Sequence, residues 1–217
     1  MTVVLKKASP AAIKYACLHF HYAKRIPASR YAFNVYENDE WCGVIIFGLG
    51  ATPNIAKPFG LSQGEVLELV RVALNGKQNT TSSCVAASLK QLHLVAPQVK
   101  LVVSYADEDQ NHKGTIYQAT NWIYLGLQNK GTPSAFIING KQVHPRSIGS
   151  MGGVQSIEWV RKNLDKNATV FYTKGKEKYI FVFDKWERKK WLKKALPYPK
   201  KGDTDGKATE GNKQNRV

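Results

Sequence analysis

Val99-Lys100-Leu101-Val102-Val103-Ser104-Tyr105-Ala106-Asp107-Glu108-Asp109-Gln110-Asn111-His112-Lys113-Gly114 opens as an apolar run and ends as a polar turn, after which residues 115–126 change to helical spacing. A strand ending near Ser104, Tyr105 and Asp107 places polar side chains at its carboxyl end, where sheets of mixed α/β proteins commonly hold ligands. From Gly114 onward, Tyr117, Asn121 and Tyr124 recur at intervals of four and three, which predicts a single helical stripe. Two phenols and an amide on one stripe are unusual for a core face, because buried polar tips require partners.

Upstream of this segment, Ser9-Pro10 predicts a capped helix to about His19, and residues 31–36 and 41–48 read as two strands joined at Asn38-Asp39. Residues 65–74 form a further strand, followed by a polar loop, 75–81, and a helix over about 82–95 started by a Thr/Ser-rich cap. Downstream, 134–138 and 141–144 form a hairpin around Asn139-Gly140. A Gly-rich loop, 148–153, and a short helix near 155–163 lead to a second expected hairpin, 169–172 with 179–183, turning at Lys174-Gly175-Lys176. Asp184 then caps a basic helix to about Leu196, with Trp186, Leu192 and Ala195 as its buried stripe and Arg188, Lys189 and Lys193 facing outward. This order predicts an α/β (α+β) fold, a mixed, mostly antiparallel sheet flanked by helices, in one domain over 1–196. Residues 197–217 are expected to form a disordered tail.

Charge narrows the partners. Of 217 residues, 43% are apolar, and 32 Lys or Arg against 16 Asp or Glu give a net +16, a balance that favours contact with polyanions. Residues 161–217 hold 17 of the cations and 7 of the acids, so +10 of the surplus lies in the carboxyl quarter. Three widely spaced cysteines, Cys17, Cys42 and Cys84, make neither a disulfide framework nor a metal pair, which points to a reducing compartment. Residues 1–7 lack the apolar core of a signal peptide and no stretch approaches a membrane span, so the cytoplasm is expected, without a membrane partner.

Several constellations could carry chemistry. The loop 75–83 runs into a helix amino terminus, where Ser82 and Ser83 could donate hydrogen bonds to a carbonyl and Arg71 precedes on the strand; an ordinary helix cap is the competing reading. His19 and His21 lack a third ligand of suitable spacing, so a metal is not expected there. His21-Tyr22, followed by Lys24 and Arg25, reads better as an acid/base pair beside an anion, since an imidazole titrating near neutrality can take a proton from an amine. Asp107, Asp109 and Asn111 begin like a calcium loop, but His112 occupies the position requiring Gly and Gln118 the position requiring Glu. Asp107 is then either a turn-former or a carboxylate directed at a substrate amine.

His21-Tyr22, the strand 68–71, Ser104-Tyr105-Ala106-Asp107 and Gly114-Thr115-Ile116-Tyr117-Gln118-Ala119-Thr120-Asn121-Trp122 together resemble the Mom proteins of Mu-type phages over roughly residues 15–155. The resemblance implies a divergent GCN5-related N-acetyltransferase-like fold and an enzyme that modifies adenine in phage DNA at N6 with a carbamoylmethyl (acetamido) group, protecting it from host restriction. It further implies that His21 and Tyr22 lie beside the reacting centre, that Arg71 contacts the donor with Ser83 at the donor loop, and that Asp107 and Tyr117 act on the adenine amine or the transferred group. Asn121 joins them through helical spacing. Tyr22, Tyr105, Tyr117, Trp122 and Tyr124 are candidates for stacking on a flipped base.

Double-stranded DNA is the implied partner, and Lys24, Arg25, Arg188, Lys189 and Lys193 are expected to contact it. The donor loop lacks the Gly-x-Gly pattern usual in acetyltransferases, which leaves acyl-CoA (acetyl-CoA) and glycyl-tRNA as alternative donors, the second making tRNA a further partner. A catalytically inactive DNA-binding protein and an ordinary acyl-CoA-dependent N-acetyltransferase are the competing functions.

Overall fold

The computed structural model describes residues 3–50 and 52–200. The chain runs β1 (Val3–Lys7), α1 (Pro10–His19), β2 (Tyr31–Glu37), β3 (Glu40–Gly48), β4 (Val66–Leu74), α2 (Thr81–Val95), β5 (Leu101–Asp107) and α3 (Thr115–Gln118). It continues with β6 (Ile123–Gln128), β7 (Pro133–Ile138), β8 (Lys141–Val143), α4 (Pro145–Ser150), α5 (Ile157–Asn163), β9 (Thr169–Tyr172), β10 (Lys176–Val182) and α6 (Lys185–Leu192). Seven strands form the main sheet in the order β1-β2-β3-β4-β5-β10-β6, with β4 and β5 parallel and the other pairs antiparallel. This is the mixed, mostly antiparallel sheet flanked by helices that the sequence predicts. Among the described residues, no helix is long and apolar enough to cross a membrane.

The helices follow their caps and apolar faces. Ser9 and Thr80 accept hydrogen bonds from the amides of Ala12 and Ser83, starting α1 and α2 where expected. Ile13, Ala16 and Cys17 of α1 pack on Val44 and Ile46 of β3, while Cys84, Val85, Leu89 and Leu92 of α2 pack with Ile45 and Phe47, the alternate β3 residues. Coverage on both faces explains why β3 reads as an unbroken apolar run.

The feature that makes room for a site is a splay. β4 and β5 pair at Val66–Leu101, Leu67–Val102 and Glu68–Val103 and then separate, although β4 continues to Leu74 and β5 to Asp107. The register of β4 against β3 shifts between Leu69 and Arg71, leaving Val70 as the extra residue of a bulge, and bulges bend the strand that carries them. Beyond the last pair, the Ser104 hydroxyl reaches the Leu69 carbonyl at 3.0 Å and satisfies a group that the lost ladder would leave bare.

Several expectations are corrected. The helix over 114–126 ends at Gln118: the Thr120 hydroxyl bonds back to the Ile116 carbonyl at 2.7 Å, Asn121 turns into the left-handed region at φ +58°, and the chain continues as β6. Asn tolerates that conformation, and the aromatic and branched residues after it suit a strand. The second hairpin is absent, because β9 pairs with β7 in a separate three-stranded sheet, β8-β7-β9, while β10 enters the main sheet between β5 and β6. β10 is apolar on both faces and needs cover on both, whereas Phe171 and Tyr172 of β9 are exposed.

On α6, Trp186 is 73% exposed and Leu192 49%, so the expected buried stripe does not exist; Trp191 instead packs beside Phe59. Arg188 turns inward, donating to the Asn121 carbonyl and lying 5.8 Å from the centre of the Phe181 ring. Two bonds tie the chain after α6 to β6. The Leu196 amide donates to the Tyr124 carbonyl at 3.0 Å and the Tyr198 hydroxyl bonds the Trp122 carbonyl at 2.5 Å, which covers the outer edge of β6. Residues 201–217 lie outside the described residues. The region expected as a loop at 148–153 begins instead as α4, with Pro145 in the first turn and the His144 ring capping the Arg146 amide.

Candidate active site

The splay opens a cleft of about 590 Å³, lined among others by His21, Tyr22, Arg71, Tyr105, Asp107 and Tyr117. Six expected site residues therefore meet from the loop after α1, the bulged half of β4, the end of β5, and α3. Ser104 stands behind the wall, 1% exposed, with its hydroxyl 2.8 Å from that of Tyr117.

Tyr117 is buried between the rings of Trp122 and Tyr179, and burial, its largest influence, pushes its phenol up to about 12, so it stays protonated across the physiological range. Tyr22 is half exposed, and its hydroxyl faces Asp107; burial first, and then that carboxylate, raise its pKa. Asp107 also accepts the Asp109 amide at 3.1 Å, which holds the turn after β5. The Arg71 guanidinium donates to the Val70 carbonyl at 2.8 Å, while its buried Nε has no hydrogen-bond partner.

His21 departs from the expected behaviour. Burial, with Arg71 and His112 nearby, lowers its pKa to about 4, so it does not titrate near neutrality. Its Nδ1 accepts the Ala23 amide at 3.1 Å, which leaves the proton of the neutral ring on Nε2. His21 is therefore a hydrogen-bond donor rather than the proton acceptor foreseen from sequence. One consequence is measurable. The folded pKa lies below the unfolded value, so as pH falls from 6.5 towards 4 the unfolded chain takes up a proton that the folded chain refuses, and stability declines. A His21→Gln variant loses that part of the decline, visible as a smaller drop in urea midpoint between pH 7 and 4.5; an identical pH dependence in both proteins would refute the shift.

The other expected residues lie elsewhere. Ser83 is exposed on α2 beside Val3 and Leu5, with its hydroxyl accepting from that of Thr80 at 2.6 Å, and Ser82 does not line the cleft; Thr81 does. Asn121 is an exposed turn residue and Trp122, 0% exposed, is core. Tyr124 is 8% exposed, and its hydroxyl donates to Glu177, so neither ring is open to a base. His19 stacks on Tyr15 and donates to its carbonyl at 2.8 Å. Lys24 and Arg25 are exposed on the loop after α1, and Lys189 and Lys193 are exposed at α6.

Sequence reasoning missed His112, Lys113 and Lys176, which also line the cleft. The first two stand in the polar turn, where the calcium-loop pattern marks His112 only as a residue in place of Gly. Lys176 enters because β10 pairs it with Asp107. Behind them Lys113 pairs with Glu108 at 2.9 Å, and Glu177, 4% exposed, is raised in pKa by burial and by the neighbouring Glu108 carboxyl.

In the loop expected to meet the donor, residues 75–81, the amides are largely spent on side chains. Gly76 donates to Gln78, Lys77 to Asn75, and Asn79 to the buried carboxylate of Glu37 at 2.6 Å. A pyrophosphate cradled by this loop would have to displace all three. The helix end is more open: the Thr80 side chain accepts the Ser83 amide, and Thr81, at the first position of α2, borders the cleft with Arg71.

Asp107, Tyr22, Tyr117, His21 and Arg71 thus gather in one cleft where two parallel strands part. The chain belongs to the Mom protein family, whose model matches residues 2–200. It is 27% identical over 190 residues to the methylcarbamoylase mom of Escherichia phage Mu, a match that covers 83% of this chain and 76% of that protein. Similar solved structures include a Bacillus subtilis acetyltransferase in complex with CoA, with a TM-score of 0.46 and 10% identity over 84% of this chain and 98% of that one. Another is the Campylobacter jejuni N-acetyltransferase PseH in complex with acetyl coenzyme A, with a TM-score of 0.41 and 11% identity over 84% and 100%.

Proposed function

We propose that this chain modifies adenine in DNA, converting it to N6-carbamoylmethyl (acetamido) adenine. The observation that carries the reading is the meeting of Asp107, Tyr22, Tyr117, His21 and Arg71 in one cleft, in a chain whose phage Mu relative is named a methylcarbamoylase. An exocyclic aromatic amine is a weak nucleophile, so the site must hold it and draw off its proton. Asp107 is the acceptor for that proton, since His21, neutral and with its Nδ1 already accepting the Ala23 amide, is left with Nε2–H to offer. The His21 Nε2–H and the Arg71 guanidinium bind the carbonyl oxygen of the transferred unit, and the Tyr117 phenol, kept protonated, faces the departing group.

The target base must leave the duplex to enter, and Tyr22 and Tyr105 offer their rings to it at the cleft. For the donor, the Thr81 end of α2 and Arg71 suit a phosphate-bearing molecule; an acyl-CoA would supply two carbons and release its thiol, and the amide nitrogen would have to come from a separate nitrogen-bearing co-reactant. Glycyl-tRNA remains the rival because the product carries one nitrogen more than an acetyl group.

Incubating protein and duplex DNA with acetyl-CoA or glycyl-tRNA, followed by nucleoside mass spectrometry, identifies the donor by which reaction yields deoxyadenosine with the mass of the carbamoylmethyl adduct rather than of an acetyl adduct. No new adenosine mass with either donor, together with none in DNA from cells expressing the protein, would sink the reading.

A further inference from the structure

Between β6 and β10 the chain leaves the main sheet to build a unit with its own core of Phe136, Ile148, Ile157, Val160 and Ala168. Residues 129–175 hold seven Lys or Arg against two acids, and both acids act locally: Asp165 accepts the amides of Asn139 and Asn167, and Glu158 hydrogen-bonds Ser156 in the first turn of α5. The unit is tied to the cleft at its root. Asp109, two residues beyond Asp107, accepts the Thr173 hydroxyl at 2.7 Å and the Lys174 amide at 2.9 Å, and the Glu108 amide donates to the Gly175 carbonyl.

That attachment sets the root of the unit beside Asp107 and Asp109, with Lys176 in the cleft lining, and Arg25 and Arg146 close enough to act on the His144 ring of the same unit. Lys176 stands opposite Asp107 across the β5–β10 ladder and lines the cleft, and Arg146 follows the His144 cap of α4. Arg25 comes from the loop after α1. The His144 ring senses all three: after burial, Arg146, Arg25 and Lys176 each lower its pKa. Arg25, His144, Arg146 and Lys176 are exposed, and none of the four forms an ion pair among the described residues, with Asp109 the acid whose charge Lys176 feels. Like charges gathered at a surface without internal partners favour an external polyanion.

Of the cations at α6, expected from sequence to meet DNA, most already have a partner within the chain. Arg188 is bound to the Asn121 carbonyl, Lys190 pairs with Glu187 at 2.5 Å, and Lys189 and Lys194 lie over the rings of Trp186 and Trp191.

We propose that the β7–β9 unit and the loop after α1 form a jaw in which Arg25, His144, Arg146 and Lys176 grip the phosphate backbone of duplex DNA beside the target adenine, and that α6 does not carry this contact. The proposal rests on DNA being the substrate.

Fluorescence anisotropy with a labelled duplex of about 20 base pairs, spanning one to two helical turns, tests it as a function of salt. Each lost phosphate contact lowers the slope of log K against log salt by about 0.9. Arg25→Ala with Arg146→Ala should therefore lower the slope by about 2 and weaken binding at least 10-fold. Lys189→Ala with Lys193→Ala, which removes the same charge, should leave affinity within about 2-fold of the wild type. Circular dichroism and thermal melting of both variants exclude loss of fold. Equal losses in the two variants, or a larger loss from α6, would overturn the jaw while leaving DNA as the substrate. A wild-type protein that bound no DNA would overturn both the jaw and the proposed function.

Discussion

Replacing Asp107 by Asn lowers adenine modification about 10²- to 10⁴-fold, the usual size of a general-base contribution, while the urea midpoint stays close to that of the wild type. Asn keeps an oxygen that can accept the Asp109 amide, so the turn after β5 survives and only the charge is lost. Asp107→Ala is the harsher variant, because it also removes the cap on the 3-10 turn at Glu108–Gln110, at a cost of about 0.5–2 kcal/mol. Binding to DNA should persist in the Asn variant, since the cations at the cleft mouth are untouched. The decisive readout is nucleoside mass spectrometry of modified DNA under single-turnover conditions. Activity within a few-fold of wild type would remove Asp107 from the chemistry and return it to the role of turn-former.

The second large effect is on stability. Trp122→Ala should cost about 3–5 kcal/mol, the range for truncating a large buried aromatic, a major part of the roughly 5–15 kcal/mol that holds a domain together. Trp122 is fully buried, packs against Tyr117 and Phe181, and shares the main core cluster with residues of α2 and β3. Its loss leaves a cavity beside the helix that carries Tyr117, so activity falls together with the urea midpoint. Trp122→Phe should recover most of both. If Trp122→Ala instead melted like the wild type yet lost modification, the indole would belong to the site after all.

These two residues show how unevenly the site was legible. Asp107 was found because an acid at the end of an apolar strand, before a polar turn, is a local pattern. Trp122 lay five residues after Tyr117, but the core it fills is built by β10, α2 and β3, and nothing within its own segment separates an indole that stacks on a base from one that fills a core. Asn121 was misplaced for a related reason. The spacing of Tyr117, Asn121 and Tyr124 suits a helix, yet the left-handed turn at Asn121 serves a strand whose partner is more than 50 residues away. His21 was found, but its role changed, because its lowered pKa depends on burial and on Arg71 and His112.

By itself the sequence determined whatever acts over a few residues. The caps at Ser9, Thr80 and Asp184, the Asn139-Gly140 hairpin, strands β2 to β5, helices α1 and α2 and the excess of positive charge were readable, because each rests on neighbours in the chain or on composition alone. Tertiary structure decided where β10 goes, where β4 and β5 part, which rings are core, and which cations are free. Those outcomes rest on contacts such as Ser104 with Leu69, Glu177 with Tyr124 and Tyr198 with Trp122, spanning 35, 53 and 76 residues. Burial, strand order and the electrostatic surroundings of a side chain are properties of what folds against it, and local propensity carries no record of partners that far along the chain.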